Sequence, residues 1–170
     1  MKYLARIFIV TVLVTFSFAS YAGNKMTGNC QLFGSWIGYD ETGAAWWTTK
    51  VDGHSSARGT LVLQVPQSVT FYPGATDATQ ARGVWERTGG NTFDWTVVSI
   101  AFDETFTTLY QARVSGKDTI GDDCDTLYVS DIVMELFDAD ADLNSDDPIG
   151  MMLFPDHPGH RIKVVNHELP

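Results

Sequence analysis

Residues 83–103 read GVWERTGGNTFDWTVVSIAFD, two runs of aromatic and β-branched residues separated by Gly89, Gly90 and Asn91. Gly and Asn tolerate the positive φ that tight hairpin loops require, so the segment predicts a β-hairpin. A three-residue loop sets Thr88 opposite Thr92, Trp85 opposite Trp95, and Arg87 opposite Phe93. A two-residue loop would instead set Trp85 against Asp94 and lose an aromatic cross-strand pair, so the longer loop is the expected one. In the second arm Phe93, Trp95 and Val97 share one parity, and Val98, Ile100 and Phe102 share the other. That change of phase predicts a bulge at Val97-Val98 or a strand covered on both faces.

The rest of the chain follows the same grammar. Strand-like runs occur at residues 31–39, 60–65, 68–72, 107–115, 126–137, 150–154 and 160–165. Turn-forming residues separate them. Residues 40–56, which hold the adjacent Trp46 and Trp47, read as a long loop or a broken strand. Residues 116–125 read as a polar turn around Cys124. Along 126–137, Tyr128, Ile132, Met134 and Leu136 fall on one face, and Leu127, Val129, Asp131, Val133 and Glu135 on the other. About eight short strands with almost no helical periodicity predict an all-β fold, an antiparallel up-and-down barrel. Closure would also remove the apolar edges that such strands otherwise expose.

Residues 1–22 combine Lys2 and Arg6, an apolar run and Ser20-Tyr21-Ala22, the pattern of a cleaved secretory signal. Residues 23–170 then suit a single barrel domain. Nothing after the signal is apolar enough to span a bilayer as a helix, so the expected destination is secreted or periplasmic. The whole chain carries a formal charge of −10, and the signal holds basic residues but no acidic ones. The mature domain is therefore more acidic still, which argues against nucleic acid as a partner and against anionic membrane surfaces. Cys30 and Cys124 are the two cysteines. In an oxidising compartment they are expected to form a disulfide, worth about 4 kcal/mol through chain entropy.

Gly34-Ser35-Trp36 is a G-x-W near the start, and Gly159-His160-Arg161-Ile162 puts an arginine near the end. This resembles the lipocalin pattern, in which a late arginine packs over the early tryptophan and closes the barrel base. The resemblance gives those structural parts to Trp36 and Arg161. The central hairpin, through Gly83, Trp85, Arg87, Thr88, Gly89, Asn91 and Phe93, is similar to the G-x-W-x-R-T-G-x-N-x-F stretch of a group of bacterial calycin-like barrels of unassigned function. Their late F-D-x-D-G-N turn reads here Phe137-Asp138-Ala139-Asp140-Ala141-Asp142, without the glycine. The similarity spans about residues 32–165 and implies a calycin-like fold. It implies little about chemistry, because related barrels transport, inhibit or occasionally isomerise.

Four constellations are candidates for function. A barrel of about eight strands is either filled or holds one small ligand, and Trp85, Trp95, Tyr110, Tyr128 and Met134 are candidates to line such a cavity; they serve equally as ordinary core. Arg87, Arg113, Asp131 and Glu135 sit on strands. Facing inward they would orient a polar group or act as an acid/base pair, and facing outward they form surface ion pairs of little energy. Asp138, Asp140 and Asp142 open an acidic loop with oxygen ligands at alternate positions, a candidate Ca²⁺ site and otherwise a solvated loop. It is not an EF-hand, since Leu143 and Ile149 stand where Gly and Glu are required. His157 and His160 flank a Pro-Gly turn and are candidate transition-metal ligands. No cofactor is otherwise implied. The expected function is binding of a small, largely apolar molecule, with Arg113 and Asp131 among the orienting groups, rather than catalysis. The alternatives are an isomerase or cyclase of the dirigent or allene-oxide-cyclase type, and a protein-interaction module presenting a Trp46-Trp47 loop.

Overall fold

The computed structural model describes residues 30–39, 43, 45–52, 57–65 and 68–163. The predicted signal, residues 1–22, lies outside them. The strands are β1 (Gly34–Tyr39), β2 (Ala45–Asp52), β3 (Arg58–Gln64), β4 (Asp77–Ala78), β5 (Ala81–Arg87), β6 (Thr92–Phe102), β7 (Thr108–Ile120), β8 (Thr126–Asp138), β9 (Gly150–Phe154) and β10 (His157–Arg161). Each main strand pairs antiparallel with the next, in the order β1-β2-β3-β5-β6-β7-β8, and β10 closes the ring between β8 and β1. The result is a closed eight-strand up-and-down barrel. β9 and β10 share one register along β8, with Phe154 opposite Ile132 and His157 opposite Val129. They form a single strand interrupted at Pro155-Asp156.

The central hairpin has the three-residue register: Trp85 opposes Trp95 and Arg87 opposes Phe93. The expected change of phase at Val97-Val98 does not occur. Phe93, Trp95, Val97, Ser99 and Ala101 all point inward, and Ile100 is exposed. Small inward residues keep the parity because Tyr72 fills the space beside them, its hydroxyl 2.5 Å from Ser99 Oγ. The irregularity in β6 falls later, at Ala101-Phe102.

Three further expectations are corrected. Residues 45–52 form one unbroken strand, neither the loop nor the broken strand that were the two alternatives, and Trp46 lies inside the barrel. Residues 68–71 form one 3-10 turn instead of a strand. β7 runs to Ile120, so Gly116 and Asp118 belong to a strand and not to the polar turn. β8 carries the bulge. Ser115 pairs with Val133 but Lys117 pairs with Ser130, so Asp131 and Ile132 together oppose Gly116. Asp131 takes φ 54° there, a left-handed state that a short polar side chain tolerates. The extra residue switches the inward set from Leu127 and Val129 to Ile132 and Met134.

Three inward tryptophans each lie across from a glycine on the neighbouring strand: Trp46 from Gly38, Trp85 from Gly59, and Trp95 from Gly116. A Cβ at Gly116 would fall 2.5 Å from the Trp95 ring, and Gly38 and Gly59 are as tightly covered. Strand glycines of this kind mark close approach by another group. Asp94, Lys117 and Asp131 stand on the outer surface, and most of the buried side chains are apolar. Among the described residues no helix is long and apolar enough to cross a membrane.

One end of the barrel is sealed. Trp36 is fully buried and donates its indole N–H to Leu32 O at 2.8 Å. The Arg161 guanidinium stacks 4.2 Å over the Trp36 ring and donates to the backbone oxygens of Gln31, Phe33 and Cys124. Gly34 makes this possible: its φ of 125° suits glycine, and a Cβ there would lie 2.8 Å from Arg161 Nη1. Burial lowers the Arg161 pKa, an effect that Asp125 opposes. Cys30 and Cys124 are joined across a sequence separation of 94 residues, fastening the segment before β1 to the β7–β8 turn. Trp85 and Phe93 pack edge to face above this base, and Arg87 lies 4.4 Å over Phe93 while donating to Cys30 O.

Candidate functional site: a polar stripe in the barrel cavity

Above the sealed base the barrel encloses a cavity of about 470 Å³. Leu61, Leu63, Val114, Ile132, Met134 and Phe154 supply apolar walls, and exposed Asp77, Thr79, Gln80 and Pro155 lie at its mouth. Residues 69–80 arch over part of this end. They are held by the Tyr72–Ser99 hydrogen bond and by β4 on β6. Burial raises the Tyr72 pKa, and the Ser99 bond works against that shift.

The chemistry lies on β2. Its inward residues, Trp46, Thr48 and Lys50, all line the cavity. They are 6 %, 3 % and 4 % exposed. Alternation puts them in one row, successive members about 7 Å apart along the strand. Lys50 Nζ donates to Asp118 Oδ2 in a short ion pair, and Asp118 is 1 % exposed. The other oxygen, Asp118 Oδ1, accepts the Trp95 indole N–H at 2.9 Å. Burial in the barrel pulls the Lys50 ammonium from its ordinary 10.5 down to about 7. The indole nitrogen of Trp46 and the hydroxyl of Thr48 have no hydrogen-bond partner. Such groups cost free energy when buried unpaired, so native interiors rarely hold them.

The predicted site residues divide by position. Trp95 and Met134 line the cavity. Trp85 is core near the base, and Tyr110 packs in the cluster around Tyr72, Ala101, Ala112 and Met134. Tyr128 is 55 % exposed, since it lies on the outward parity before the bulge. The ionised residues do not converge inside. Arg113 pairs with Glu135 at 2.6 Å beneath the acidic loop, donating also to Leu143 O, and Lys117 pairs with Asp131 at 2.8 Å on the surface. Arg113 and Asp131 therefore do not act as inward groups, and the ionised pair that faces the cavity is Lys50–Asp118. Asp142 accepts from Asn144 N, and Asp146 from Asp142 N, so the acidic loop spends carboxylates on its own backbone. Among the described residues no three His, Cys, Asp or Glu side chains group as metal ligands, at Asp138, Asp140 and Asp142 or elsewhere. His157 lines the cavity, tilted against Trp46 at 5.2 Å, while His160 is exposed.

Sequence reasoning missed Thr48, Lys50 and Asp118. The signal was present as alternation, Trp46-x-Thr48-x-Lys50, but adjacent Gly and Ala residues disguised its start. Asp118 was hidden in Gly116-Lys117-Asp118, which reads as a turn until Gly116 is recognised as the seat of a tryptophan ring.

Compared with protein-family models, curated proteins and solved structures, the chain matches none.

Proposed function

We propose that this protein is an exported, calycin-like barrel that binds one small, largely apolar molecule inside its cavity. The observation that carries the reading is the pair of unpartnered buried groups, Trp46 Nε1 and Thr48 Oγ1, beside the Lys50–Asp118 pair in a cavity with mostly apolar walls. Apolar walls with a few placed polar groups are the ordinary make-up of small-molecule sites, and the volume lies within their range of roughly 300–1,000 Å³. The disulfide fits an oxidising compartment. Native mass spectrometry of protein isolated without reducing agent from the producing cell's envelope or medium tests it, together with titration by the neutral fluorophore N-phenyl-1-naphthylamine. The expected result is a co-purifying organic molecule or saturable uptake of one fluorophore per chain. A bare protein that takes up no fluorophore would overturn the proposal.

The buried Lys50–Asp118 pair favours a second reading, a barrel isomerase using the pair as acid and base. It requires that a bound molecule leave chemically changed, whereas a carrier releases its ligand intact.

A further inference from the structure

We propose that Lys50 captures the carbonyl carbon of an elongated apolar aldehyde or ketone as an imine, with Asp118 as its counter-ion. The inference rests on the cavity-binding reading and names the ligand class of that site. Lysine is almost never fully buried unless paired, and here the pair sits at the wall of a cavity rather than in packed core. A buried ion pair is weak evidence for stability, because apolar replacements of similar volume often do as well. Its position therefore calls for a chemical role.

Charge selects the ligand. A carboxylate head would bring a second negative charge beside Asp118 in a low-dielectric site. A neutral carbonyl brings none, and its oxygen is an acceptor for the donors that the cavity leaves unused. The Thr48 hydroxyl stands one pleat from Lys50, and the Trp46 indole N–H one pleat further toward the mouth.

The reaction conserves both atoms and charge. Lys50 gives its ammonium proton toward Asp118, and the freed nitrogen lone pair forms a bond to the carbonyl carbon. The C=O π pair moves to oxygen, which takes up that proton to give a carbinolamine. The C–O bond then breaks as the oxygen leaves as water with a second proton from the nitrogen, and the nitrogen's lone pair and its one remaining proton make the product a protonated imine. The net change is aldehyde plus ammonium giving protonated imine plus water, with no oxidant or reductant. The protonated imine carries the same single positive charge as the ammonium it replaces. Asp118, fixed by the Trp95 indole at 2.9 Å, therefore faces the same charge before and after. The lowered Lys50 pKa supplies free amine near neutrality.

The test treats the wild-type protein with one equivalent of decanal and sodium cyanoborohydride near pH 7, followed by intact-mass measurement and peptide mapping. Lys117 and Lys163, both exposed, are internal references. The expected result is one decyl adduct on Lys50, in excess of any on Lys117 or Lys163; the free-amine fraction alone favours an amine of pKa about 7 over an ordinary lysine by on the order of a thousandfold. Lys50→Arg keeps the charge and should lose the adduct. Decanol, which cannot form an imine, is titrated in parallel against bound N-phenyl-1-naphthylamine. If decanol displaces the fluorophore but decanal leaves Lys50 unmodified, the imine proposal falls and the cavity-binding reading stands. If the fluorophore never binds and Lys50 is unmodified, both fall. Mapping on wild-type protein decides the question even if Lys50→Arg does not fold.

Discussion

The two ends of this barrel treat buried polar groups in opposite ways. At the base, the groups that close the fold are answered, Trp36 by Leu32 O and Arg161 by three backbone oxygens and a tryptophan face, with Asn91 Oδ1 in the neighbouring hairpin loop the exception. In the cavity half, an indole N–H and a hydroxyl go unanswered, and a lysine is held by a single carboxylate. The same residue types, tryptophan and a long cation, serve closure below and an open demand for partners above. Buried polar groups that are satisfied specify a fold, whereas unsatisfied ones cost stability and persist at sites of function. The base is therefore where stability is stored, and the β2 stripe is where it is given up.

The largest effect should come from breaking the base. Trp36→Ala removes a fully buried ring and the platform under Arg161, and should cost about 3–5 kcal/mol. Thermal unfolding would show a large loss, and any loss of fluorophore binding should follow the loss of folded protein. If Trp36→Ala instead remained as stable as wild type, the base would not be the store of stability argued here.

The next comparison turns on the pair. Lys50→Met alone leaves Asp118 buried with only the Trp95 N–H, and should destabilise by about 3–5 kcal/mol. Adding Asp118→Asn removes the stranded charge while keeping an acceptor for Trp95. The double variant should recover most of that loss or exceed wild type. A double variant as damaged as the single one would make the pair structural, like the base. The pH dependence gives an independent reading. Between about pH 7 and 10.5 the folded Lys50 is neutral while the unfolded one holds its proton. Wild-type stability, relative to the double variant, should therefore rise with pH across that window. Below about pH 7 both states are protonated, and the cost of a buried ammonium is fully present.

The contrast also explains what could be read from sequence. The base and the hairpin were legible because their signals are local: G-x-W, a turn of fixed length, aromatic residues in matched register. Trp85 opposite Trp95 follows from counting outward from Gly89-Gly90-Asn91. The stripe was not legible, because a buried lysine on a strand looks like a solvent-facing one until its carboxylate partner, 68 residues away, is placed. Tyr128 and Asp131 were misplaced for a sharper reason. One bulge residue at Asp131 inverts the parity of β8, and nothing in the alternation of side chains announces it. Ser99 and Ala101 misled in the opposite sense: small inward residues hid a parity that never changed.

The smallest expected effect falls on Thr48. Its hydroxyl is buried without a partner, and valine has nearly the same shape without the oxygen. At a satisfied position that exchange would be costly, but here it removes an unanswered polar group. Thr48→Val should therefore stabilise the free protein by about 1 kcal/mol, raising Tm by about 2–4 °C. The same change should weaken binding of decanal or decanol while leaving N-phenyl-1-naphthylamine uptake intact, since the fluorophore relies on the apolar walls. A lower Tm would mean that the hydroxyl is answered in solution, and the difference between the two halves of the barrel would shrink. A higher Tm with unchanged decanol affinity would leave Thr48 as a cost with no ligand to offset it, and would move the orienting role to Trp46. Only the combination of greater stability and poorer ligand discrimination marks a side chain kept for its partner rather than for the fold.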